Sequence, residues 1–205
     1  MRDDQTSAGM YAMNGIDSIC KSAVLAFFKI AIYIAYKAYR IEGLNALYYF
    51  MPSKLIVSTL QKYGARIGKN VIISPSPVIH NAKRDYANLE IGDNAYLGRG
   101  VFLDLTEKIK IGNRTVISMR VNLLTHFDVG PSILREILPP KKGATTIEDD
   151  AYVGAASTIR EGIKVGKGAV VAAMSFVNED VDEDTIVGGV PAHRMGSLKG
   201  GSSIE

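Results

Sequence analysis

The chain has 205 residues and a mass of 22.2 kDa, enough for one domain with a small appendage. Its 24 Lys and Arg against 21 Asp and Glu leave a formal charge of +3, too even for a protein that wraps nucleic acid, and 47% apolar residues suffice to bury a core. The 20 glycines, set beside 7 prolines and no tryptophan and lacking collagen's triplet, predict many tight turns rather than a fibre.

Residues 1–63 predict an N-terminal helical segment. The first ten residues carry two acids where the basic start of a secretory signal would lie, and no apolar stretch follows at once, so no signal peptide is expected. Cys20 is the one cysteine, which excludes an intramolecular disulfide or a cysteine zinc site and fits a reducing cytoplasm. Its own expected place is that of a small buried apolar side chain. Residues 18–60 read as helix, divided in two by Met51-Pro52-Ser53. Lys29 separates the apolar runs 22–28 and 30–36, so no uncharged stretch of about 18 residues is expected to span a bilayer. Tyr11, Tyr33, Tyr36, Tyr39, Tyr48 and Tyr49, with Lys29, Lys37 and Arg40, leave two readings. One is a helical cap on the domain or on a neighbouring subunit, the expected one. The other is a helix in peripheral contact with a membrane.

A repeat begins at Ile67. Taking every sixth residue gives Ile67, Ile73 and Ile79; then Ile91, Leu97 and Leu103; then Ile111, Ile117 and Leu123; then Ile147, Val153, Ile159, Val165, Val171 and Val177. All are Ile, Leu or Val, which make up only about a quarter of the chain. Gly68, Gly92, Gly98, Gly112, Gly154 and Gly166 directly follow such a residue and are expected to ease a turn. Four positions after the inward residue the side chain is often small or β-branched, as at Ala95, Thr115, Ser157 and Ser175. Three such sides, one apolar residue pointing inward on each, make one coil of a parallel β-helix in about eighteen residues. Five coils are counted, at 67–84, 91–108, 111–128, 147–164 and 165–182. The β-helix domain is bounded at 64–190, an arm at 129–146 loops out of it, and residues 191–205 read as a C-terminal tail.

The isoleucine-led hexapeptides, the insertion directly after a histidine and the closing Gly188-Gly189-Val190-Pro191-Ala192 resemble the left-handed β-helix acyltransferases of the maltose, galactoside and capsule-sugar O-acetyltransferase group. The resemblance covers about residues 64–198. It implies a homotrimer, acetyl-CoA as co-substrate in a groove between adjacent β-helices, no metal, and a sugar-type acceptor held near the arm. It also implies a cytoplasmic place in polysaccharide biosynthesis.

Acyl transfer to a hydroxyl needs a base for the departing proton and a donor for the oxyanion. His126, where the arm departs, matches the family's catalytic base, and histidine's ordinary pKa of about 6.5 suits that task. Asp104, Asn122 and Asp128 are the acceptor-side candidates, Asp128 also being a candidate partner for the imidazole. The oxyanion donor is expected among the main-chain N–H groups of Gly154-Ala155-Ala156. The resemblance carries Ala155 and Ala173 over as small wall positions beside the pantetheine arm, with Gly154 at the same turn. Where many relatives have a Thr-Lys pair in the final coil this chain has Asn178-Glu179 and then the acidic run 180–184, which moves the expected phosphate contacts to His193 and Arg194. His80 reads as a surface histidine. A three-histidine metal enzyme on the same scaffold fits poorly, because His80, His126 and His193 are spread over the whole chain. An N-acyltransferase acting on an amino-sugar nucleotide is the alternative activity, and a non-catalytic scaffold the alternative class.

Overall fold

The computed structural model describes residues 4–199, with side chains from Ser22 onward, so the expected burial of Cys20 and the Tyr11 side chain lie outside the described residues. Two compact units divide the chain, 1–47 and 48–205.

In the first unit, helix α1 (Asp4–Tyr48) loses helical geometry at Arg40, where φ is 56° and ψ −138°. A Cβ on Gly43 would overlap the carbonyl oxygen of Ala35, eight residues earlier. Along an unbroken helix those positions stand about 12 Å apart, so the chain doubles back at the break. The stretch Ser22–Tyr48 is long and apolar enough, by length and composition, to cross a membrane, because its scattered charges leave an 18-residue window with no more than two of them. Only 6% of that window is buried.

The second unit begins before the expected boundary at residue 64. Pro52 stands at the start of α2 (Ser53–Lys62), where its missing N–H costs no helical bond. Ile56, Thr59 and Leu60 are buried, Ser53 Oγ accepts from the Ile73 N–H at 3.0 Å, and Gln61 Nε2 donates to the Ile67 carbonyl at 2.9 Å. Helix α2 therefore caps the first coil, as the cap reading expects for that part of the segment.

The β-helix follows the repeat in register. Ile67, Ile91, Ile111, Ile147 and Val165 pair in succession on one parallel sheet. Ile73, Leu97, Ile117, Val153, Val171 and Val187 do so on the second. Ile79, Leu103, Leu123, Ile159 and Val177 form the third. Fourteen of the fifteen repeat residues are at most 4% exposed, Ile67 being half-buried. The fold is the left-handed parallel β-helix of hexapeptide-repeat proteins, of about six turns. Beyond the five expected coils, Val181 bridges Val165 and the strand Thr185–Gly188 pairs with Val170–Val171, giving a partial sixth. The expected tail is corrected too: His193–Ser197 turns back antiparallel on Thr185–Gly188. The arm is a hairpin rooted at the histidine itself, His126–Phe127 pairing with Lys141–Lys142, and a 3-10 turn, Ile133–Glu136, at its tip.

The six glycines act differently from expectation. None of them has a positive φ; the left-handed residue lies two positions on, at Asn70, Asn94, Gly100, Arg114, Ala156 and Gly168. What excludes a side chain is proximity, since a Cβ on any of the six would come closer than 3.0 Å to the next coil. Gly92→Ala, whose Cβ would sit 2.7 Å from the Asn113 N–H nitrogen, is expected to cost roughly 1–3 kcal/mol in chemical denaturation, and an unchanged midpoint would contradict this packing.

Candidate active site

The repeat keeps its six-residue step at the first two corners of each of the five full coils and fails at the third corner of the first three. Twelve residues separate Ile79 from Ile91, eight separate Leu103 from Ile111, and twenty-four separate Leu123 from Ile147. The extra residues bring polar side chains together on that corner: Asn81 from the first interruption, Thr106 from the second and His126 from the third.

Asp104 is their centre. It ends the strand Phe102–Asp104 and is 1% exposed, which corrects its expected place on the acceptor surface. Its Oδ1 accepts from the Thr106 hydroxyl at 2.8 Å, the Thr106 N–H at 3.2 Å and Asn81 Nδ2 at 3.2 Å. Its Oδ2 accepts from the Thr125 N–H at 2.9 Å, the Thr125 hydroxyl at 3.0 Å and His126 Nδ1 at 2.5 Å. Burial alone would raise the carboxyl pKa, but the bonds from His126, Thr125, Thr106 and Asn81 outweigh it and hold the group well below the usual carboxylate range. An ionised carboxylate only accepts, so the proton of neutral His126 resides on Nδ1 and Nε2 carries a bare lone pair. The arrangement is a buried aspartate orienting a half-exposed imidazole, the pairing a general base requires.

His126 lines a groove of about 410 Å³ with Leu124, Phe127, Leu138, Arg160, Glu161 and Phe176 among its walls. Asn122 stays on the outer face of the third sheet, donating to Thr158 Oγ1 at 3.1 Å, and does not line this groove. Asp128 serves the arm instead of the imidazole, accepting from the Gly130 N–H at 2.8 Å and pairing with Arg135 at 3.4 Å. Gly154, Ala155 and Ala173 gather on the opposite edge of the third sheet. A Gly154 Cβ would lie 2.5 Å from the Ala173 nitrogen, and the Met174 N–H donates to the Ala155 carbonyl at 2.8 Å. Among the described residues the Ala155 N–H has no hydrogen-bond acceptor. His193 and Arg194 are not on this edge. They line a depression of about 180 Å³ beside Glu179, Asp180 and Asp182, a poor setting for a phosphate.

Two sets of residues escaped sequence reasoning. Arg99 and Arg120 are exposed, have no ion pair among the described residues, and share the column of corners that carries Ala155 and Ala173, the Arg120 N–H donating to the Arg99 carbonyl. Their offset from Gly98 and from Ile117 in the repeat is a signal that could have found them. Glu161, also on the groove wall, is 9% exposed. His80, as expected, is an exposed side chain, lying 5.9 Å from the Phe102 ring.

Because Asp104 has a depressed carboxyl pKa in the fold, its stabilisation is complete above its unfolded value of about 3.9 and fades as pH falls through the lower folded one. Asp104→Asn is expected to cost about 3 kcal/mol at pH 7, with the gap in melting temperature from the parent chain narrowing below about pH 4. A gap independent of pH would contradict the ionised hub.

Comparison with known proteins places these features. Residues 144–178 match the family model described as the hexapeptide repeat of succinyl-transferase. A curated 2,3,4,5-tetrahydropyridine-2,6-dicarboxylate N-acetyltransferase of Clostridium perfringens is 44% identical over 73 residues, 36% of this chain and 31% of the relative, so the match spans under a third of that protein's length. A hexapeptide-repeat-containing acetyltransferase from Vibrio cholerae superposes with a TM-score of 0.70 at 24% identity, over 82% of this chain and 93% of the other. Its structure complexed with acetyl coenzyme A gives 0.67 at 25% identity, over 76% and 84%. A maltose O-acetyltransferase from Clostridium difficile gives 0.63 at 21% identity, over 77% and 84%. The chain thus carries the hexapeptide repeat, and its β-helix is the fold of the hexapeptide-repeat acetyltransferases.

Proposed function

We propose that the protein is an acetyl-CoA-dependent O-acetyltransferase acting on a sugar hydroxyl, with His126 as general base. The observation that carries this reading is the bond from His126 Nδ1 to a fully buried, multiply bonded Asp104 at the mouth of an apolar groove. In the reaction His126 Nε2 takes the acceptor's hydroxyl proton as that oxygen attacks the thioester carbonyl. The oxyanion is held by the Ala155 N–H, and collapse expels the CoA thiolate, which takes the proton back from Nε2. No metal enters this scheme, and among the described residues no group of three or more His, Cys, Asp or Glu could hold one.

The same geometry supports a homotrimer. His126 and Ala155 lie at opposite edges of the third sheet. Ala155 and Glu161 stand on either side of the strand Thr158–Ile159, so one copy alone does not bring base and oxyanion donor together. A second copy docked along that sheet does. Exposed apolar side chains paired in register on the second sheet, Ile72, Tyr96 and Tyr152, offer further surface for such an assembly. The cations available beside the Ala155 and Ala173 corner for CoA phosphates are Arg99 and Arg120. An amine acceptor is the second reading, favoured by the N-acetyltransferase names of the curated relatives.

We further propose that α1 lies against the inner face of the cytoplasmic membrane, which makes a lipid-linked saccharide a candidate acceptor. The helix carries Phe27, Ile30 and Ile34 on one stripe, 58–66% exposed, and over residues 22–48 it has three exposed cations, Lys29, Lys37 and Arg40, against the single acid Glu42. The Lys37 ammonium lies over the Tyr33 ring and the Arg40 guanidinium over the Tyr36 ring, each 5.7 Å from the centroid. Tyrosine beside cation is the composition that settles at a headgroup boundary.

Two experiments test these readings. His126→Ala is expected to lose about 10²–10⁴-fold in acetyl transfer to a panel of sugars, nucleotide sugars and amino sugars while still binding CoA. Unchanged turnover would remove the base assignment, and exclusive use of amino sugars would move the reading to N-acylation. The full-length chain is expected to float with vesicles containing anionic lipid, and a variant with Phe27→Glu and Ile34→Glu is expected to stay in the dense fraction. Equal partitioning of the two would remove the membrane assignment.

A further inference from the structure

Glu161 is the one acid on the wall of the His126 groove. Its side chain is 8% exposed, and its sole partner among the described residues is Arg160, whose Nε stands 3.3 Å from Oε1. No hydrogen bond from the protein meets the geometric requirement at this carboxylate. A carboxylate offers about four acceptor sites, and a buried one ordinarily fills them, as Asp104 does with six donors in the same corner. Arg160 Nε beside it is sealed and unbonded, whereas neither Glu161 oxygen is, so the open acceptor sites are reachable from the groove by donors from outside the chain.

The backbone fixes where those donors would be. The Gly143 N–H donates to the Thr125 carbonyl at 3.0 Å and the Gly162 N–H to the Gly143 carbonyl at 3.2 Å, making a short column of stacked backbone. His126 follows Thr125 and Glu161 precedes Gly162, so base and carboxylate flank two rungs of that column, about 10 Å at the spacing of paired strands. The distance is too great for the two to act on one proton and suits two groups of one acceptor. Gly143 has no room for a side chain, because its Cβ would come within 2.6 Å of the Gly162 Cα, so the returning arm passes close to the backbone next to Glu161.

We propose that Glu161 is a specificity-determining residue that accepts a hydrogen bond from a second, non-reacting hydroxyl of the acceptor while His126 deprotonates the first. The assignment rests on the acyl-transfer reading above and adds the acceptor class, a neutral polyol carrying two or more hydroxyls. Chemistry separates this from capture of an attacking amine. A carboxylate against that amine would favour the protonated ammonium, which is no nucleophile, whereas against a hydroxyl it stabilises no unreactive form. The Arg160 guanidinium balances the charge of the wall, and Phe127, Phe176 and Leu124 give the C–H face of a sugar ring an apolar surface.

The test uses the full chain with acetyl-CoA, methyl β-galactoside and methyl β-glucoside, and their singly deoxygenated forms. In the parent protein, removing one particular non-reacting hydroxyl is expected to lower kcat/KM by at least about tenfold, because the site's buried acceptor is then left unpaired. In Glu161→Met, which keeps length and loses the acceptor, the intact glycoside is expected to fall to the level of that deoxy form. The two should then differ by less than about threefold, with KM for acetyl-CoA unchanged. Glu161→Gln retains an acceptor oxygen and is expected to lie between the two, which separates lost recognition from lost folding. Equal discrimination by parent and Glu161→Met at every hydroxyl overturns the assignment, as does an absence of CoA release by the parent with all of these glycosides. Failure of the parent chain to bind CoA overturns the acyl-transfer reading beneath it.

Discussion

Stacked coils approach one another at the spacing of paired strands, about 4.8 Å, and this distance governs the rest of the molecule. It is short enough that one Ile, Leu or Val per side fills the interior and that several corners have no room for a Cβ against the next coil. Glycine at 92, 98, 112 and 154 answers that requirement directly, and the left-handed residue two positions later turns the chain into the next side. At the narrow corners the second inward side chain must be small, and Ala95, Thr115, Ser157 and Ala169 are all buried. Their hydroxyls remain bonded, as when Ser157 Oγ donates to the Ala172 carbonyl at 2.9 Å. The outcome is a rigid frame whose surface positions are fixed by coil and corner.

Such a frame leaves chemistry to the places where its period is broken. Asn81, Thr106 and His126 come from three interruptions of different length, yet all fall on the third corner, one coil above another. Because each interruption leaves and rejoins the coil at fixed points, the side chains it supplies are held from both ends. Asp104, the residue on which they converge, belongs to the regular strand beneath them. The aspartate–histidine pair is therefore an irregular layer fastened to a regular one, and rigidity of the second supplies orientation for the first.

The columns of the core were legible in the sequence because Ile, Leu and Val at six-residue spacing have no other common use. His126 was legible through its place at the root of the insertion. The burial of Asp104 was not, since it read as an acceptor-side residue and its bonds to Asn81, Thr106, Thr125 and His126 come from three different coils. Asp128 lies closer to the histidine in sequence, but Arg135 and the Gly130 N–H engage it within the arm. Glu161 left no mark in the sequence, because nothing there signals that Gly143 packs against Gly162. His193 and Arg194 were placed by nearness to the C-terminal end. The antiparallel return carries them to the end of the solenoid instead, beside three acids. The interruptions themselves held the missing information: their common corner was countable from the sequence before any contact was known.

An open solenoid ends in unpaired strand edges, and each is a template on which another chain can add. At the first coil that edge lies against α2. At the last, the returning strand His193–Ser197 runs antiparallel with a register shift between Ile186 and Val187, while the Ala192 N–H donates to the Phe176 carbonyl and the Phe176 N–H to the Gly189 carbonyl. A further copy cannot continue the parallel stack in phase across such a reversal. The residues after Gly188 thus act as a stopper against fibre growth at that end, leaving the sides of the β-helix as the surface a closed assembly would have to use.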